Sequence, residues 1–316
     1  MPESRSTLEF VSALRAEAPG FKGTLEFDAP LAKVAYYRIG GPASVLATPR
    51  TFEDLALLHR MLRAHPVPFF ILGWGSNLLF SDEGFQGLVI RMKHLNTGVE
   101  EDSPGQLRVG ASLGASALLR VASEKGYGGL ARLTGIPGSV GGMIAMNAGT
   151  HLGEMGDLVV QTGWVNLNED REELTLRSRI HVAGDFSYRR NHFLSSGDLV
   201  LHSRIRYEPA DPAAVKREID DLYQRRKATQ PVEYPSCGSV FMNPGEGGLR
   251  AWQVVERLGL RGHRVGNAQI SEKHPNFIVN LGGATANEVK ALIALVKSRA
   301  RAELGIEMHE EVKVLA

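Results

Sequence analysis

Two glycine-rich turns constrain this chain more than any other feature of its sequence. They are Gly73-Trp74-Gly75-Ser76-Asn77 and the segment 135–142, which reads Gly-Ile-Pro-Gly-Ser-Val-Gly-Gly. Each lies between apolar stretches, so we predict that each is a loop held at the edge of a sheet. Glycine lets the backbone adopt positive φ and approach a ligand closely, and successive N–H groups then form a concave anion site. Two such turns predict one long, phosphate-containing ligand bound at two places.

The composition limits the classes of protein to which the chain can belong. Its 316 residues are enough for two domains, or one divided domain, with a buried core. The net charge of +1 does not indicate nucleic acid or an anionic membrane as the main partner. No apolar run has the length of a membrane span, and the N-terminal residues lack the hydrophobic core of a secretion signal. The single cysteine, Cys237, excludes an internal disulfide and fits a reducing cytoplasm.

Capping signals and apolar periodicity predict the helices and strands. Helices are expected over 6–17, from the capping box at 51–54 to Pro66, over about 115–125, from Asp211-Pro212 to about 227, over 249–258, and from the capping box at 285–288 to Gly305. Strands are expected at 68–72, 88–90, 107–109, 158–160, 164–167, 174–176, 199–201, 277–280 and 312–315. The best domain boundary lies near 208–212.

The common nucleotide-binding motifs fit this chain poorly. A Walker A loop needs Gly-Lys followed by Ser or Thr, and the dipeptide Gly-Lys does not occur. The Rossmann fingerprint needs a third glycine, but the position that follows Gly73 and Gly75 in that pattern holds Leu78. The two turns are therefore expected to belong to another phosphate-binding architecture.

One hydrolase motif does occur. Gly110-Ala111-Ser112-Leu113-Gly114 follows a predicted strand and precedes a predicted helix, which is the context of a nucleophile elbow. The simpler interpretation is that Ser112 begins the helix and binds its unpaired N–H groups. The ten histidines form no His-Glu-x-x-His and no paired Cys/His spacing, so no metal site is predicted. Cys237 is expected to be a buried thiol.

Eight segments, taken together, resemble one family. They are Tyr37-Arg38-Ile39-Gly40-Gly41, the turn from Ile71 to Leu79, the turn 135–142, Met146-Asn147-Ala148-Gly149, Tyr188-Arg189, Gly238-Ser239-Val240-Phe241, Ser271-x-Lys273-His274 and Glu311-Val312-Lys313. From about residue 36 onward the chain resembles the UDP-N-acetylenolpyruvoylglucosamine reductases, also called UDP-N-acetylmuramate dehydrogenases. The short interval between Arg189 and Ser239 is similar to the class that lacks an inserted tyrosine-bearing loop.

The resemblance implies an α+β fold with a two-subdomain FAD-binding domain of the vanillyl-alcohol-oxidase/PCMH type and a C-terminal α+β substrate-binding domain. The expected division is an N-terminal extension (1–34), an FAD-binding domain (35–208, with subdomains at about 35–95 and 96–208) and a substrate-binding domain (209–316). The implied cofactor is FAD, with NADPH as co-substrate. The implied reaction reduces UDP-N-acetylglucosamine enolpyruvate to UDP-N-acetylmuramate for peptidoglycan.

The resemblance also assigns catalytic roles. Arg189 would hold the carboxylate of the enolpyruvyl group through its planar donor fork. Glu311 would lie against the same carboxylate and would act best when protonated. Ser239 would deliver a proton to the carbanion, because a neutral hydroxyl can protonate such a strong base. These assignments are specific to this family among the FAD-binding oxidoreductases.

The remaining site residues are implied in the same way. The cofactor-binding residues are Gly73, Gly75, Ser76, Asn77, Leu78, Gly138, Ser139, Gly142, Asn147 and Gly149. The substrate-binding residues are Tyr188, Asn243, Lys273 and His274.

The sequence departs from the family pattern at several places. Trp74 places a bulky side chain in the first turn, and Met242 stands where a lysine is common. Three alternative functions were considered. They are an FAD-dependent sugar or alcohol oxidase of the same superfamily, a serine hydrolase that uses Ser112, and a binding protein without turnover. Ser239 with Glu311 argues against the oxidase, and the complete set Arg189, Ser239 and Glu311 argues against a binding protein. The hydrolase would carry no flavin.

Overall fold

The computed structural model describes residues 4–245 and 248–315. Its α-helices are α1 (Arg5–Glu17), α2 (Phe52–Ala64), α3 (Ala115–Lys125), α4 (Val140–Ala145), α5 (Pro212–Thr229), α6 (Ala251–Arg257) and α7 (Ala286–Arg299). The strands are β1 (Thr24–Pro30), β2 (Pro42–Thr48), β3 (Phe69–Leu72), β4 (Leu78–Phe80), β5 (Phe85–Arg91), β6 (Val99–Ser103), β7 (Gln106–Gly110), β8 (Tyr127–Gly128), β9 (Gly149–Thr150), β10 (Gly153–Glu154), β11 (Val159–Asn166), β12 (Arg177–Ile180), β13 (Phe186–Ser187), β14 (Arg190–Asn191), β15 (Asp198–Arg206), β16 (Glu208–Pro209), β17 (Arg264–Val265), β18 (Ala268–Ile270), β19 (Ile278–Asn280) and β20 (Lys313–Leu315). Within these described ranges, no helix is both long and apolar enough to span a bilayer.

The chain forms two compact units. Unit 1 consists of the described residues of Met1–Asp28, Ser44–Trp74 and Gln86–Gln224. Unit 2 consists of those of Ala29–Ala43, Gly75–Phe85 and Arg225–Ala316. The first glycine-rich turn is therefore divided between the units, with Gly73 and Trp74 in unit 1 and the following residues in unit 2.

Most residues of the first sheet, with strand order β1-β2-β5-β3, belong to unit 1. Helix α2 begins with the predicted capping box, in which Thr51 and Asp54 exchange side-chain and backbone hydrogen bonds. Its apolar face lies in one core with α1 and the sheet, where Phe10, Leu58 and Ile90 are fully buried. Strand β3 runs parallel to β5 and ends at Leu72, immediately before the first turn.

A second sheet of unit 1 has the order β12-β11-β15-β7-β6 and is antiparallel. A separate core lies on it, formed by residues from α3, α4 and strands β7, β11 and β15. Helix α3 ends at Gly126, which has φ +74° and so can adopt the left-handed conformation of a C-terminal cap. This sheet and core hold the second glycine-rich turn.

The strand predicted at 174–176 is wrong. Leu174 is buried in the first core of unit 1, but Leu176 is 53% exposed, so the segment does not keep one face against the sheet. The strand that pairs with β11 begins only at Arg177. Two alternating leucines are a shorter pattern than the roughly four to eight alternating residues that indicate a strand.

Unit 2 is assembled from three distant stretches of sequence. Strand β4 pairs in parallel with β20, and β17, β18 and β19 form an antiparallel sheet. Helix α7 begins with the predicted capping box of Thr285 and Glu288 and packs its apolar face into the core. The fully buried Tyr37 donates a 2.8 Å hydrogen bond to the carbonyl of Ile278. This bond ties the first stretch of unit 2 to the last.

Candidate active site

The first glycine-rich turn approaches the second within unit 1. A Cβ atom added to Gly73 would lie 2.8 Å from Oγ of Ser139, so a side chain at this position would displace that hydroxyl. The ring of Trp74 lies against Gly114, because a Cβ there would be 2.3 Å from ring atom Cζ2. Thus the structure brings together Gly73 and Ser139, two of the predicted cofactor-binding residues.

The second turn is paired with the segment that precedes α3. The N–H of Ala115 donates to the carbonyl of Gly138 (2.9 Å), and that of Val140 donates to the carbonyl of Leu113 (2.9 Å). Ser139 caps helix α4, its Oγ accepting a 3.3 Å hydrogen bond from the N–H of Gly142. This hydrogen bond between Ser139 and Gly142, both predicted cofactor-binding residues, therefore holds the C-terminal end of the turn in place.

Two buried hydroxyls flank this turn without a partner. Oγ of Ser112 and Oγ1 of Thr134 have no hydrogen-bond partner in the described part of the chain. A buried polar atom without a partner is costly, and a bound polar group can supply the missing bond. Close-packed glycines and unsatisfied hydroxyls along one turn fit a dinucleotide such as FAD.

Ser112 neither caps a helix nor forms a nucleophile elbow. Helix α3 begins at Ala115 with Gly114 as its N-cap, so the expectation that Ser112 begins the helix is wrong. The hydroxyl of Ser112 is buried and has no histidine bonded to it among the described residues. A serine nucleophile needs a base in hydrogen-bond contact. The hydrolase alternative therefore has no structural basis.

The part of the first turn that lies in unit 2 is bonded to the segment of Glu311. Nδ2 of Asn77 donates to the carbonyl of Glu311 (3.0 Å), and the N–H of Lys313 donates to the carbonyl of Asn77 (3.1 Å). Leu78 begins β4, where it pairs with Lys313. Gly75 has φ +68°, which favours glycine in this turn.

Ser239 and Glu311 lie on neighbouring, hydrogen-bonded segments of unit 2. The N–H of Glu311 donates to the carbonyl of Val240 (2.8 Å), and Phe241 forms a bridge with Glu310. Ser239 and Glu311 are both half-buried. The sequence places these two predicted catalytic residues far apart, and the fold brings their backbones side by side.

Cys237 is a buried thiol, as predicted. It is 3% exposed, and desolvation, with a smaller contribution from the charge of Glu311, raises the pKa of Cys237 to about 12. A thiol with such a pKa stays protonated at neutral pH and is a poor nucleophile.

Arg189 lies between β13 and β14, at φ +56° in unit 1. Its Nη2 donates to the carbonyl of Gly149 (3.1 Å), and its Nη1 is 3.5 Å from Oε1 of Glu154. Its guanidinium carbon lies 5.0 Å from the ring centre of Tyr188, which is 48% exposed. Arg189 is thus close to two predicted site residues, Tyr188 and Gly149.

The side chain of Asn147 makes hydrogen bonds within unit 1. Its Nδ2 donates to Oε2 of Glu154 (2.6 Å) and to the carbonyl of Ser187 (2.8 Å). Its Oδ1 accepts from the N–H of Gly156 (2.8 Å). Sequence reasoning assigned Asn147 to the cofactor and missed Glu154, which carries no motif of its own. In the sequence, Glu154 stands out only as an acidic residue shortly after Gly149.

The predicted substrate-binding residues of unit 2 lie at two places. Oδ1 of Asn243 accepts from the N–H of Ala251, at the start of α6. Lys273 and His274 share one turn, and Nζ of Lys273 donates to the carbonyl of Lys227 (2.6 Å). Burial lowers the pKa of His274, and the charges of two arginines act in the same direction. His274 is therefore neutral near pH 7.

Comparison with known proteins agrees with this geometry. Residues 230–315 match the family model described as UDP-N-acetylenolpyruvoylglucosamine reductase, C-terminal domain, and residues 43–169 match an FAD binding domain. A UDP-N-acetylenolpyruvoylglucosamine reductase of Synechococcus sp. is 38% identical over 294 residues, covering 93% of this chain and 94% of that protein. One from Trichlorobacter lovleyi is 38% identical over 299 residues, again covering 93% and 94%.

A solved structure also matches nearly the whole chain. It is the UDP-N-acetylenolpyruvylglucosamine reductase (MurB) of Thermus caldophilus, with a TM-score of 0.77 and 33% sequence identity. The match covers 93% of this chain and 99% of that one. The similarity of sequence and of fold extends over both units, so the chain belongs to the UDP-N-acetylenolpyruvoylglucosamine reductase family.

Proposed function

We propose that this protein reduces UDP-N-acetylglucosamine enolpyruvate to UDP-N-acetylmuramate, a peptidoglycan precursor, with NADPH as the reductant, and that Arg189, Ser239 and Glu311 carry the chemistry. The family match supports the reaction. The observation that supports the residue roles is the hydrogen-bonded pairing of the Ser239 and Glu311 segments. No observation favours the oxidase alternative.

FAD is the cofactor, and when bound it supplies hydride transfer from NADPH to the enolpyruvyl double bond. The residues that would hold it are those of the two turns, among them Gly73, Asn77, Ser139 and Gly142. The unsatisfied hydroxyls of Ser112 and Thr134 offer further hydrogen bonds.

The chain's own residues bind the substrate and move the proton. Reduction of the double bond builds negative charge on the carbon next to the carboxylate, so groups that stabilise this charge lower the barrier. Arg189 binds the carboxylate with its planar guanidinium. Glu311 would lie against the same carboxylate and would act best when protonated, and Ser239 donates the proton that completes the product.

The domain division follows the same proposal. Residues 35–208 form the FAD-binding domain, with subdomains at about 35–95 and 96–208, and residues 209–316 bind the substrate. The two family models, at 43–169 and 230–315, support this division. The compact units follow it only in part, because Ala29–Ala43 and Gly75–Phe85 belong to unit 2 and Phe10 of the N-terminal extension is buried in a core of unit 1. The lone cysteine and the nucleotide-linked substrate support a cytoplasmic location.

The test separates the two half-reactions in Ser239→Ala. Reduction of the bound flavin by NADPH is expected to stay within about twofold of wild type, whereas reoxidation by the enolpyruvyl substrate falls by about 10²–10⁴-fold, the usual contribution of an acid catalyst. Cys237→Ala, two residues away, is the control and keeps both half-reactions. Equal loss of both half-reactions in Ser239→Ala would reject Ser239 as the proton donor. If the rate of NADPH oxidation does not depend on the enolpyruvyl substrate, the proposed reaction itself is rejected.

A further inference from the structure

The carboxylate of Glu154 has no role in the proposed mechanism, yet it lies beside Arg189. One oxygen, Oε1, is 3.5 Å from Nη1 of Arg189. The other, Oε2, accepts a 2.6 Å hydrogen bond from Asn147, which is 1% exposed. The carboxylate therefore links a fully buried amide to the guanidinium that the mechanism assigns to the substrate.

The fold places both partners of the guanidinium together. In the short pair β9–β10, Glu154 lies opposite Gly149. The carbonyl of Gly149 accepts from Nη2 of Arg189, and the side chain of Glu154 faces Nη1. Asn147 also binds the carbonyl of Ser187, two residues before Arg189. One asparagine thus fixes both the carboxylate beside the guanidinium and the backbone that carries the arginine.

This pair is more enclosed than an ordinary surface ion pair. The side chains of Arg189 and Glu154 are 17% and 26% exposed. Exposed ion pairs contribute little because water screens them and both side chains move freely. Here both oxygens of the carboxylate are engaged and the guanidinium has a second partner, so the arginine has little rotational freedom.

Stability does not explain why a carboxylate stands at this position. Desolvation raises the pKa of Glu154, and the charge of Asp157 acts in the same direction, while Arg189 and Asn147 lower it without cancelling the rise. A raised pKa means that the ionised form is less favourable in the folded protein than in the unfolded chain. Ionisation of this carboxylate at neutral pH therefore costs folding free energy and does not supply it.

We propose that Glu154 is a positioning residue, whose carboxylate, oriented by Asn147, holds the guanidinium of Arg189 in the orientation that receives the carboxylate of the substrate. The proposal rests on the proposed function, which assigns Arg189 to that carboxylate. A held guanidinium binds without first losing the rotational freedom of a long side chain. A displacement of about 1 Å at such a group can lower the rate roughly a hundredfold.

A double-mutant cycle with Glu154→Gln and Arg189→Met tests this. Glu154→Gln alone is expected to lower kcat/KM for the enolpyruvyl substrate roughly tenfold to a hundredfold. It should also weaken the binding of UDP-N-acetylmuramate in calorimetry. Reduction of the flavin by NADPH stays within about twofold, since no acid catalyst of that step is removed. In a protein that already carries Arg189→Met, adding Glu154→Gln should not lower kcat/KM further, because Glu154 acts only through Arg189.

Asp102→Asn is the matched control. Asp102 is also a carboxylate of unit 1 in an ion pair; its side chain is 24% exposed, and its Oδ2 lies 2.7 Å from Nε of Arg204. This variant is expected to keep kcat/KM within about twofold, as ion pairs away from the site contribute little. The Tm of Glu154→Gln at neutral pH is expected to stay close to that of wild type, because the loss of a poorly solvated charge offsets the loss of one acceptor oxygen.

The outcomes separate the two proposals. Wild-type kcat/KM in Glu154→Gln, or losses that add in the double variant, would overturn the positioning role. A lower Tm with equal loss of both half-reactions would make Glu154 a structural residue, which also overturns it. If Arg189→Met itself leaves substrate reduction intact, the role of Arg189 in the proposed function fails instead.

Discussion

Asn147→Ala tests whether the network that holds Arg189 also stabilises the fold. The side chain of Asn147 makes three hydrogen bonds, to Glu154, to the carbonyl of Ser187 and from the N–H of Gly156. Its backbone has φ +43°, which asparagine tolerates better than alanine does. Alanine removes all three bonds and adds backbone strain in a fully buried place.

The expected cost follows from these contacts. A hydrogen bond contributes about 0.5–1.5 kcal/mol, and one to a charged group about 1.5–3 kcal/mol, so the three together amount to about 2.5–6 kcal/mol. The positive φ adds about 1 kcal/mol for alanine. The free energy of unfolding should therefore fall by about 3.5–7 kcal/mol. At about 2 °C per kcal/mol for a chain of this size, Tm falls by roughly 7–14 °C.

The assay is a thermal melt of the protein with and without FAD. Asn147→Gly is the first comparison, since glycine accepts positive φ and should lose about 1 kcal/mol less than alanine. Asn96→Ala is the matched control, because Asn96 also has positive φ (+56°) but is exposed. A Tm for Asn147→Ala within about 3 °C of that control would refute the reasoning. If Tm is lowered only when FAD is bound, Asn147 is a cofactor contact and does not stabilise the fold by itself.

Two further predictions concern unit 2. Tyr37→Phe removes one buried hydrogen bond, to the carbonyl of Ile278. Chemical denaturation should therefore show a free energy of unfolding that is lower by about 1–3 kcal/mol. An unchanged denaturation midpoint would contradict this prediction. Cys237 should resist a thiol reagent at pH 8, where a pKa of about 12 leaves about one thiolate in ten thousand, and should react at once in guanidinium. The rate should rise as pH increases toward that pKa, and rapid stoichiometric labelling of the folded protein would contradict the burial.

The local elements of the fold could be predicted because their signals are short-range. Thr51 with Asp54 and Thr285 with Glu288 form the predicted capping boxes, and Asp211-Pro212 begins α5. Such signals lie within one helical turn, so their meaning does not depend on the rest of the chain. The strand expected at 174–176 failed because burial of Leu176 depends on distant residues.

The site was predicted less completely. The two turns and the residues of the family motifs could be named from the sequence. Which of these residues make hydrogen bonds inside the protein could not be predicted. Asn147 and Asn243 make hydrogen bonds inside the protein, and Glu154, which carries no motif, lies beside Arg189. Side-chain partners of this kind are set by the pairing of short strands such as β9 and β10, which no periodicity in the sequence indicates.

The parallel pairing of β4 with β20 affects how the protein is made. Residues 78–80 leave the ribosome long before residues 313–315 exist, and at about 5–20 residues per second the wait is roughly 10–50 s. During that time Leu79 and Phe80, both buried in the finished protein, have no partner strand. A nascent chain with an unpaired apolar segment is a natural client for chaperones. Slower translation should therefore lower the yield of folded enzyme.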